Sequence, residues 1–263
     1  MVLTIDIGNT AIKVAAIQQS KILKLERMNL QKLTSLRSEI DAMARSLQQA
    51  MPTEEVKQKH QNKALEIEGI VISSTIGYPD QLREILNQDN VIYLDSQTSI
   101  PIVNAYHTPA TLGPDRLAAA IGAHAKCPDT NILVIDMGTA ITYDYVSSDG
   151  TYLGGNIAPG IDMRFKALHD NTAKLPLVSK DGELSYIGST TETAIRAGVI
   201  LGVKYEIEGY IREFMSKSGN VSVFLTGGSA LHFEDSIKRC IFADEFLVHE
   251  GLYAIYQYNK KHI

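Results

Sequence analysis

Two short stretches constrain this chain more than anything else in it: Asp6-Ile7-Gly8-Asn9-Thr10 and Asp136-Met137-Gly138-Thr139-Ala140. Each follows an apolar run, Val2 to Ile5 and Ile132 to Ile135, and each precedes a further strand-like segment. The local reading is a buried strand closed by a carboxylate, a glycine turn carrying Asn or Thr, and a second strand leaving antiparallel. Glycine lets backbone N–H groups come close to a phosphate, and a strand-end aspartate can hold a hydrated cation beside it. Asp-x-Gly-Thr on its own also makes an ordinary hairpin turn. Two copies, half a chain apart and each after an apolar run, point to a duplicated nucleotide-binding domain.

The segments around the turns read as an α/β chain. In the first half, residues 2–7 and 11–18 are expected strands, with a third from Lys21 to Arg27. Leu33, Leu36, Ile40, Met43 and Leu47 recur at helical spacing between Leu30 and Leu47. A polar helix is expected over Thr53 to Glu66, then a strand to Ser73, a Gly77-Tyr78-Pro79 turn, a short helix from Asp80 and a strand at Val91 to Leu94. The order is β-β-β-α-β-α-β. Past the irregular stretch 98–114, a helix starts at Asp115, and strands at 131–136, 140–146 and 151–154 repeat the theme. Gly154-Gly155-x4-Gly160 reads as a glycine-rich connection into a helix near Met163 to Asn171. A long helix is expected from Ser189 to Lys217, with Ile195, Val199, Val203, Ile207 and Phe214 on one face. Ser189 and Glu192 have capping-box spacing at its start. A strand from Val221, the Thr226-Gly227-Gly228 turn, a helix with His232 and Ile237, a strand over Ile241 to Val248 and a helix from Glu250 complete the series. No low-complexity linker separates the halves, so domains at 1–114 and 115–263 are expected to share a cleft.

Composition excludes some functions. Apolar residues make up 44% of the 263 and charged ones 21%, enough for a sizeable core. A net charge of −5 argues against a nucleic-acid partner, which needs a clustered basic face. The two cysteines, Cys127 and Cys240, lack metal-ligand spacing and read as reduced thiols. His107, His124, His169 and His232 have no ligand spacing either. No signal peptide and no run of membrane-spanning length is evident, so a soluble, cytoplasmic protein is expected. The Gly-x4-Gly-Lys-Ser/Thr phosphate loop and the Gly-x-Gly-x2-Gly dinucleotide signature are both missing.

Asp6-Ile7-Gly8-Asn9-Thr10, Gly113-Pro114-Asp115-Arg116, Asp136-Met137-Gly138-Thr139, Gly154-Gly155-x4-Gly160 and Thr226-Gly227-Gly228 follow one another in this order. Taken together they resemble a type III pantothenate kinase, of the acetate-kinase, sugar-kinase and actin superfamily, nearly end to end. The resemblance implies a duplicated ribonuclease H-like (actin-like ATPase) fold, two mixed-sheet domains flanking a central cleft. It implies an enzyme that phosphorylates pantothenate at the expense of ATP, the first step toward coenzyme A.

Residue roles follow from the same resemblance. Asp6, Ile7, Gly8, Asn9, Thr10, Ala11, Ile12 and Lys13 would hold the ATP phosphates, with Lys13 supplying charge and Asp6 meeting Mg2+ through water. Asp115 would be the base that takes the proton from the attacking hydroxyl; on residues alone it is a good helix-start residue, and the two roles are compatible. Tyr106, Gly113, Pro114, Arg116 and Thr191 would line the pantothenate site. The Arg116 guanidinium is well shaped for a substrate carboxylate. Pro114 stands where the family more often has a small apolar residue, a tolerable change. In the second turn Thr139 stands in place of Asn9 and no lysine follows. There the resemblance puts a monovalent cation, K+ or NH4+, near Asp136, with Thr139 on ATP. Thr226-Gly227-Gly228 resembles the superfamily's adenosine turn. A homodimer is implied as well.

Three other readings remain open at this level. A superfamily kinase or phosphatase for another small hydroxylated substrate would be separated by a substrate screen. A non-catalytic regulatory relative would bind ligand without turnover, although Asp6, Asp115, Arg116 and Asp136 are all intact. An actin-like filament protein would not sediment as a discrete small species.

Overall fold

The computed structural model describes residues 1–50, 66–86, 90–230 and 241–260. The polar helix expected from Thr53 falls almost wholly outside these residues, as does the helix expected around His232 and Ile237. The described chain divides into two compact units, residues 1–102, 107–125 and 247–263 in one and 103–106 and 126–246 in the other.

The first unit is built on β1 (Val2–Ile7), β2 (Ala11–Gln18), β3 (Lys21–Asn29), β4 (Gly69–Ser74) and β5 (Val91–Tyr93), in the sheet order β3-β2-β1-β4-β5. β1, β2 and β3 form an antiparallel meander, while β4 and β5 run parallel to β1. Parallel neighbours need a crossover. A 3-10 turn at Leu30–Ser35 leads into α1 (Leu36–Ala50) on the way to β4, and α2 (Asp80–Ile85) stands between β4 and β5. The expected stripe is the buried one: Leu36, Ile40 and Met43 pack on Leu3, Ile5, Ile7, Ile12 and Val14, with Leu33 and Leu47 at the margin. The opposite face of this sheet meets α6 (Leu247–Lys260), which packs against β1 and β4.

The second unit repeats the plan. β7 (Asn131–Met137), β8 (Ala140–Val146) and β9 (Thr151–Pro159) form the meander, and β10 (Val221–Thr226) and β11 (Ile241–Ala243) extend it in parallel. The order β11-β10-β7-β8-β9 is the first sheet's pattern over again, with β6 (Val103–Asn104) added beside β9. α4 (Ile161–Asp170) and α5 (Thr191–Ser218) cover one face, with Ile195, Val199, Val203, Ile207 and Ile211 buried against Leu133, Ile135 and Val223. Phe214 packs at the edge of that cluster. The duplicated ribonuclease H-like, actin-like ATPase fold is thus present in topology as well as in pattern.

Several local expectations need correction. The glycine-rich stretch is strand, not connection: β9 runs through Pro159 because β8 pairs along it as far as Ala140–Pro159. Gly155 is there because a Cβ would stand 1.9 Å from the Tyr143 carbonyl oxygen. The capping box sits one residue later than expected. Thr190 Oγ1 accepts from Thr193 N–H at 3.2 Å and Thr193 Oγ1 from Thr190 N–H at 3.0 Å. β11 is short, and α6 begins at Leu247 instead of Glu250.

The compact units also do not coincide with a division at 114/115. α3 (Pro114–Lys126) and α6 cross at two glycines so closely that they form one body. A Cβ on Gly251 would lie 1.8 Å from Ala118 O, and one on Gly122 would lie 2.2 Å from Leu247 O. Since α6 lies on β1 and β4, this crossing mounts α3 on the first unit. Pro114 at the first position of α3 costs that helix nothing, because the missing N–H would have had no helical partner.

Candidate active site

In the first unit the strand pairing sets Ser73 (β4), Asp6 (β1), Lys13 (β2) and Arg27 (β3) side by side in one row. Directly paired residues share a sheet face, so this row lies on the face that α6 covers. Asp6 is buried, at 8% exposure. Its Oδ1 accepts from Ser73 Oγ at 3.2 Å. Burial pushes its carboxyl from the usual 3.8 up to about 6; the Lys13 charge opposes the shift, the Asp115 charge adds to it, and the Ser73 bond works against it. Lys13 is half-buried and makes no hydrogen bond or ion pair among the described residues. Gly8 N–H donates back to Ala11 O at 3.0 Å, closing the turn and leaving Asn9 and Thr10 exposed at its tip.

Asp115 stands in the first turn of α3, half-buried, with Oδ1 accepting the Arg116 N–H at 2.8 Å. Its electrostatic effect on Asp6 places the two carboxylates in one neighbourhood. Gly113 lies against that carboxylate: a Cβ on it would stand 2.6 Å from Asp115 Oδ1 and push the side chain aside. Arg116 is 7% exposed, so its guanidinium is a buried group and not a free surface fork.

Sequence reasoning passed over two groups in this unit. Ser73 carries a signal like that of Asp6, a polar residue closing an otherwise apolar strand. His249 on α6 carries none. It is 1% exposed, its Nδ1 lies 2.9 Å from Thr4 Oγ1, and burial and then the Lys13 charge push its imidazole down to about 3. It is therefore a neutral neighbour of the Asp6 row at any physiological pH.

The second unit holds the other expected site residues. The corresponding row there is Thr226, Asp136, Thr142 and Ile157, and so carries one carboxylate and no cation. The second turn is one residue shorter than the first, because Met137 pairs with Ile141 where Ile7 pairs with Ile12. Thr139 therefore takes the place of Thr10, and Thr142 that of Lys13; Asn9 is the residue with no counterpart. Gly138 N–H donates to Ala140 O at 3.1 Å, the same closure as in the first copy.

Asp136 is half-buried under Gly227, whose φ of +93° and lack of Cβ let the chain pass over it. A Cβ there would lie 2.4 Å from Asp136 Oδ1. Tyr106 is half-buried against β9, its ring 3.1 Å from the Cβ position of Gly154 and 6.2 Å from the Tyr152 ring. Tyr152 in turn donates to the buried Asp144 at 2.7 Å. Thr191 is exposed in the first turn of α5.

The structure thus brings the residue 6–13 turn, Gly113 and Asp115 together in one unit, and Asp136, Thr139 and Gly227 in the other. Within unit one the chemistry available is two carboxylates and the Lys13 ammonium, whose charge acts on Asp6. Asp6 offers a buried carboxylate poorly matched by cations, which suits Mg2+, an ion held by few carboxylates together with waters and phosphates. Among the described residues no group of three His, Cys, Asp or Glu forms a dedicated metal cage. Asp136 has Thr226 and Thr142 as its strand-paired neighbours, with Gly138 and Gly227 beside its carboxylate.

Residues 2–213 match the model of a family described as type III pantothenate kinase. The chain is 43% identical over 265 residues to the type III pantothenate kinase of Bacteroides fragilis (strain YCH46), with 100% of both chains covered. It is 37% identical over 262 residues to that of Flavobacterium johnsoniae, with 98% of each covered. Among solved structures, component A of (R)-2-hydroxyglutaryl-CoA dehydratase from Acidaminococcus fermentans superposes with a TM-score of 0.51 at 14% identity, covering 100% of this chain and 99% of that one. A conserved Baf family protein from Campylobacter jejuni gives 0.58 at 23% identity, covering 98% and 99%. At those identities the two structures speak to the fold.

Proposed function

The chain belongs to the type III pantothenate kinase family, and from that premise we propose how its residues divide the work. The protein catalyses the ATP-dependent phosphorylation of pantothenate, the reaction that opens coenzyme A biosynthesis. The observation that carries the residue assignment is the arrangement in the first unit: buried Asp6, half-buried Lys13 paired with it across β1 and β2, and Asp115 close enough to raise the Asp6 carboxyl.

Asp115 is the base. It takes the proton from the pantothenate hydroxyl as that oxygen attacks the γ-phosphorus, and Gly113 leaves room for its carboxylate. The turn from Gly8 to Lys13 receives the phosphates, with backbone N–H groups, the Asn9 and Thr10 side chains and the Lys13 ammonium sharing their charge. Asp6 would hold Mg2+, which when bound would neutralise phosphate charge. Phosphoryl transfer asks mainly for positioning and charge neutralisation, which is what turns and cations supply. In the second unit Thr139 would contact ATP, and Asp136 would hold K+ or NH4+. Tyr106, Gly113, Pro114, Arg116 and Thr191 line the pantothenate site. A homodimer is part of the same reading, and exposed apolar side chains of the second unit such as Ile157 (64%), Tyr186 (80%) and Ile187 (77%) are available to it. A cytoplasmic location follows from the substrates. Among the described residues no helix is long and apolar enough to cross a membrane.

The test is ADP release coupled to NADH oxidation, with pantothenate compared against sugars and acetate, in K+ and again in Na+. Pantothenate-dependent turnover that drops at least tenfold in Na+ is expected. Turnover with a sugar instead would replace the substrate, and indifference to the cation would remove the Asp136 assignment.

The Asp6 carboxyl gives a second expectation. A carboxyl at about 6 in the folded chain and 3.8 otherwise means that the ligand-free fold binds the extra proton between those values. Stability is fully favoured by that proton below about pH 4 and declines as pH rises through about 6, by roughly 3 kcal/mol in all. Asp6→Asn removes the penalty, so the ligand-free variant should melt higher than wild type at neutral pH while losing most of its turnover. The wild-type rate should fall as pH drops through about 6. Differential scanning calorimetry across pH, beside initial rates, checks both; a variant that melts lower and still turns over would remove Asp6 from the site.

A further inference from the structure

Behind the second turn runs a chain of contacts to which the assignments above give no role. Pro159 ends β9 and pairs with Ala140, the residue on which the turn closes. Its carbonyl accepts from Arg164 Nε at 2.8 Å. The Arg164 NH2 group donates to Glu206 Oε2 at 2.7 Å, and Glu206 Oε1 accepts from the Tyr143 hydroxyl at 2.7 Å. Tyr143 is fully buried and stacks on Tyr210 with 3.8 Å between ring centroids. Burial and then Glu206 push its ionisation far up, so it stays a donor. The next residue, Gly160, donates its N–H to Thr139 O at 3.1 Å, and a Cβ on it would lie 2.2 Å from that oxygen and 2.7 Å from Gly138 O. The backbone of the turn thus rests directly on Gly160. Gly160 is held by its neighbour Pro159, Pro159 by Arg164, and Arg164 by Glu206 on α5.

An ion pair on an open surface contributes little to stability. This one is different in kind: with side chains only 21% and 27% exposed, both carboxylate oxygens and two guanidinium nitrogens are committed, one of the latter to a backbone carbonyl. A planar fork can meet two partners at fixed angles, which an ammonium cannot do. We propose that Arg164 and Glu206 are positioning residues for ATP, holding Gly138 and Thr139 at the height where the nucleotide meets them. The proposal rests on the reading that Thr139 contacts ATP. The pair touches no substrate itself; it acts through the Pro159–Gly160 peptide.

The test is steady-state kinetics on the full chain with Arg164→Met, Arg164→Lys, the near-isosteric Glu206→Gln, and Thr139→Ala. A shift of the turn by a fraction of an ångström should raise the KM for ATP by about tenfold in Arg164→Met, leaving the KM for pantothenate as in wild type. Arg164→Lys should not restore it, since charge is kept and the fork is lost, and Glu206→Gln should show a smaller rise of the same kind. A raised ATP KM in Thr139→Ala with none in Arg164→Met and Glu206→Gln overturns the proposal and leaves the ATP reading standing. No rise in Thr139→Ala overturns that reading itself. If both KM values rise together in Glu206→Gln, the pair is a general support of the unit and the proposal is wrong.

Discussion

Asp115→Asn should lower the turnover of pantothenate by about 10²–10⁴-fold, the range a positioned general base contributes. The substitution is chosen because it leaves the rest nearly untouched. Asn starts a helix about as well as Asp, and its amide oxygen can still accept the Arg116 N–H that Asp115 Oδ1 accepts at 2.8 Å. Thermal unfolding should therefore hardly move. A second consequence separates loss of a base from loss of shape. The Asp115 charge is one of the causes that raise the Asp6 carboxyl. Without it, the acid limb of the residual rate should shift to lower pH. Rates from the coupled assay across pH measure both, and turnover within a few-fold of wild type would show that the base has been misassigned.

Gly251→Val should be the most damaging single change to the fold. By helix propensity alone, replacing an interior glycine is favourable or neutral, since glycine costs a helix about 1 kcal/mol against alanine. Here the first added carbon would stand 1.8 Å from Ala118 O, 2.6 Å from Ala118 C and 3.0 Å from Gly122 N, all backbone atoms that cannot rotate aside. The two helices must separate, and overpacking of that kind costs on the order of 3 kcal/mol or more. Gly202→Ala on α5 is the control, because nothing lies within 4 Å of its Cβ position; it should be neutral or stabilising by up to about 1 kcal/mol. Urea denaturation of both variants decides the matter. Equal midpoints would mean that the crossing is not under the constraint its distances indicate. Since α3 carries Asp115, a folded fraction of Gly251→Val should also lose more activity than its unfolded fraction explains.

Much of the fold was legible because its signals are local and repeated. Apolar runs closed by aspartate, the helical stripe from Leu33 to Leu47 and the face from Ile195 to Ile207 each specify an element without help from elsewhere. What was not legible depends on partners distant in sequence. Gly154 to Gly160 reads as loop, since glycine is a poor strand former; only the approach of β8 turns it into β9. Ser189, Thr190 and Thr193 are all competent cap residues, so the register of the cap was undetermined by one position. The alignment of Thr139 with Asn9 was off by one because a shorter turn is invisible until strand pairing supplies the register. For the site, the two aspartates at strand ends could be found by pattern. The neighbourhood of Asp6 and Asp115 could not, since it depends on how α3 rides on α6. Arg164 and Glu206 carry no motif at all, being 42 positions apart and joined only by the packing of α4 on α5.

The helix α6 that completes the first unit leaves the ribosome only after all of residues 126–246 have been made. A nascent chain with the second unit already emerged still lacks the support for β1, β4 and α3, however long the N-terminal segment has been waiting. The phosphate turn is thus synthesised well before the helix that completes its catalytic neighbourhood. Termination between residue 246 and the end of α6 should yield a chain in which the second unit is made and the first is incomplete, so catalytic competence requires that α6 has been translated.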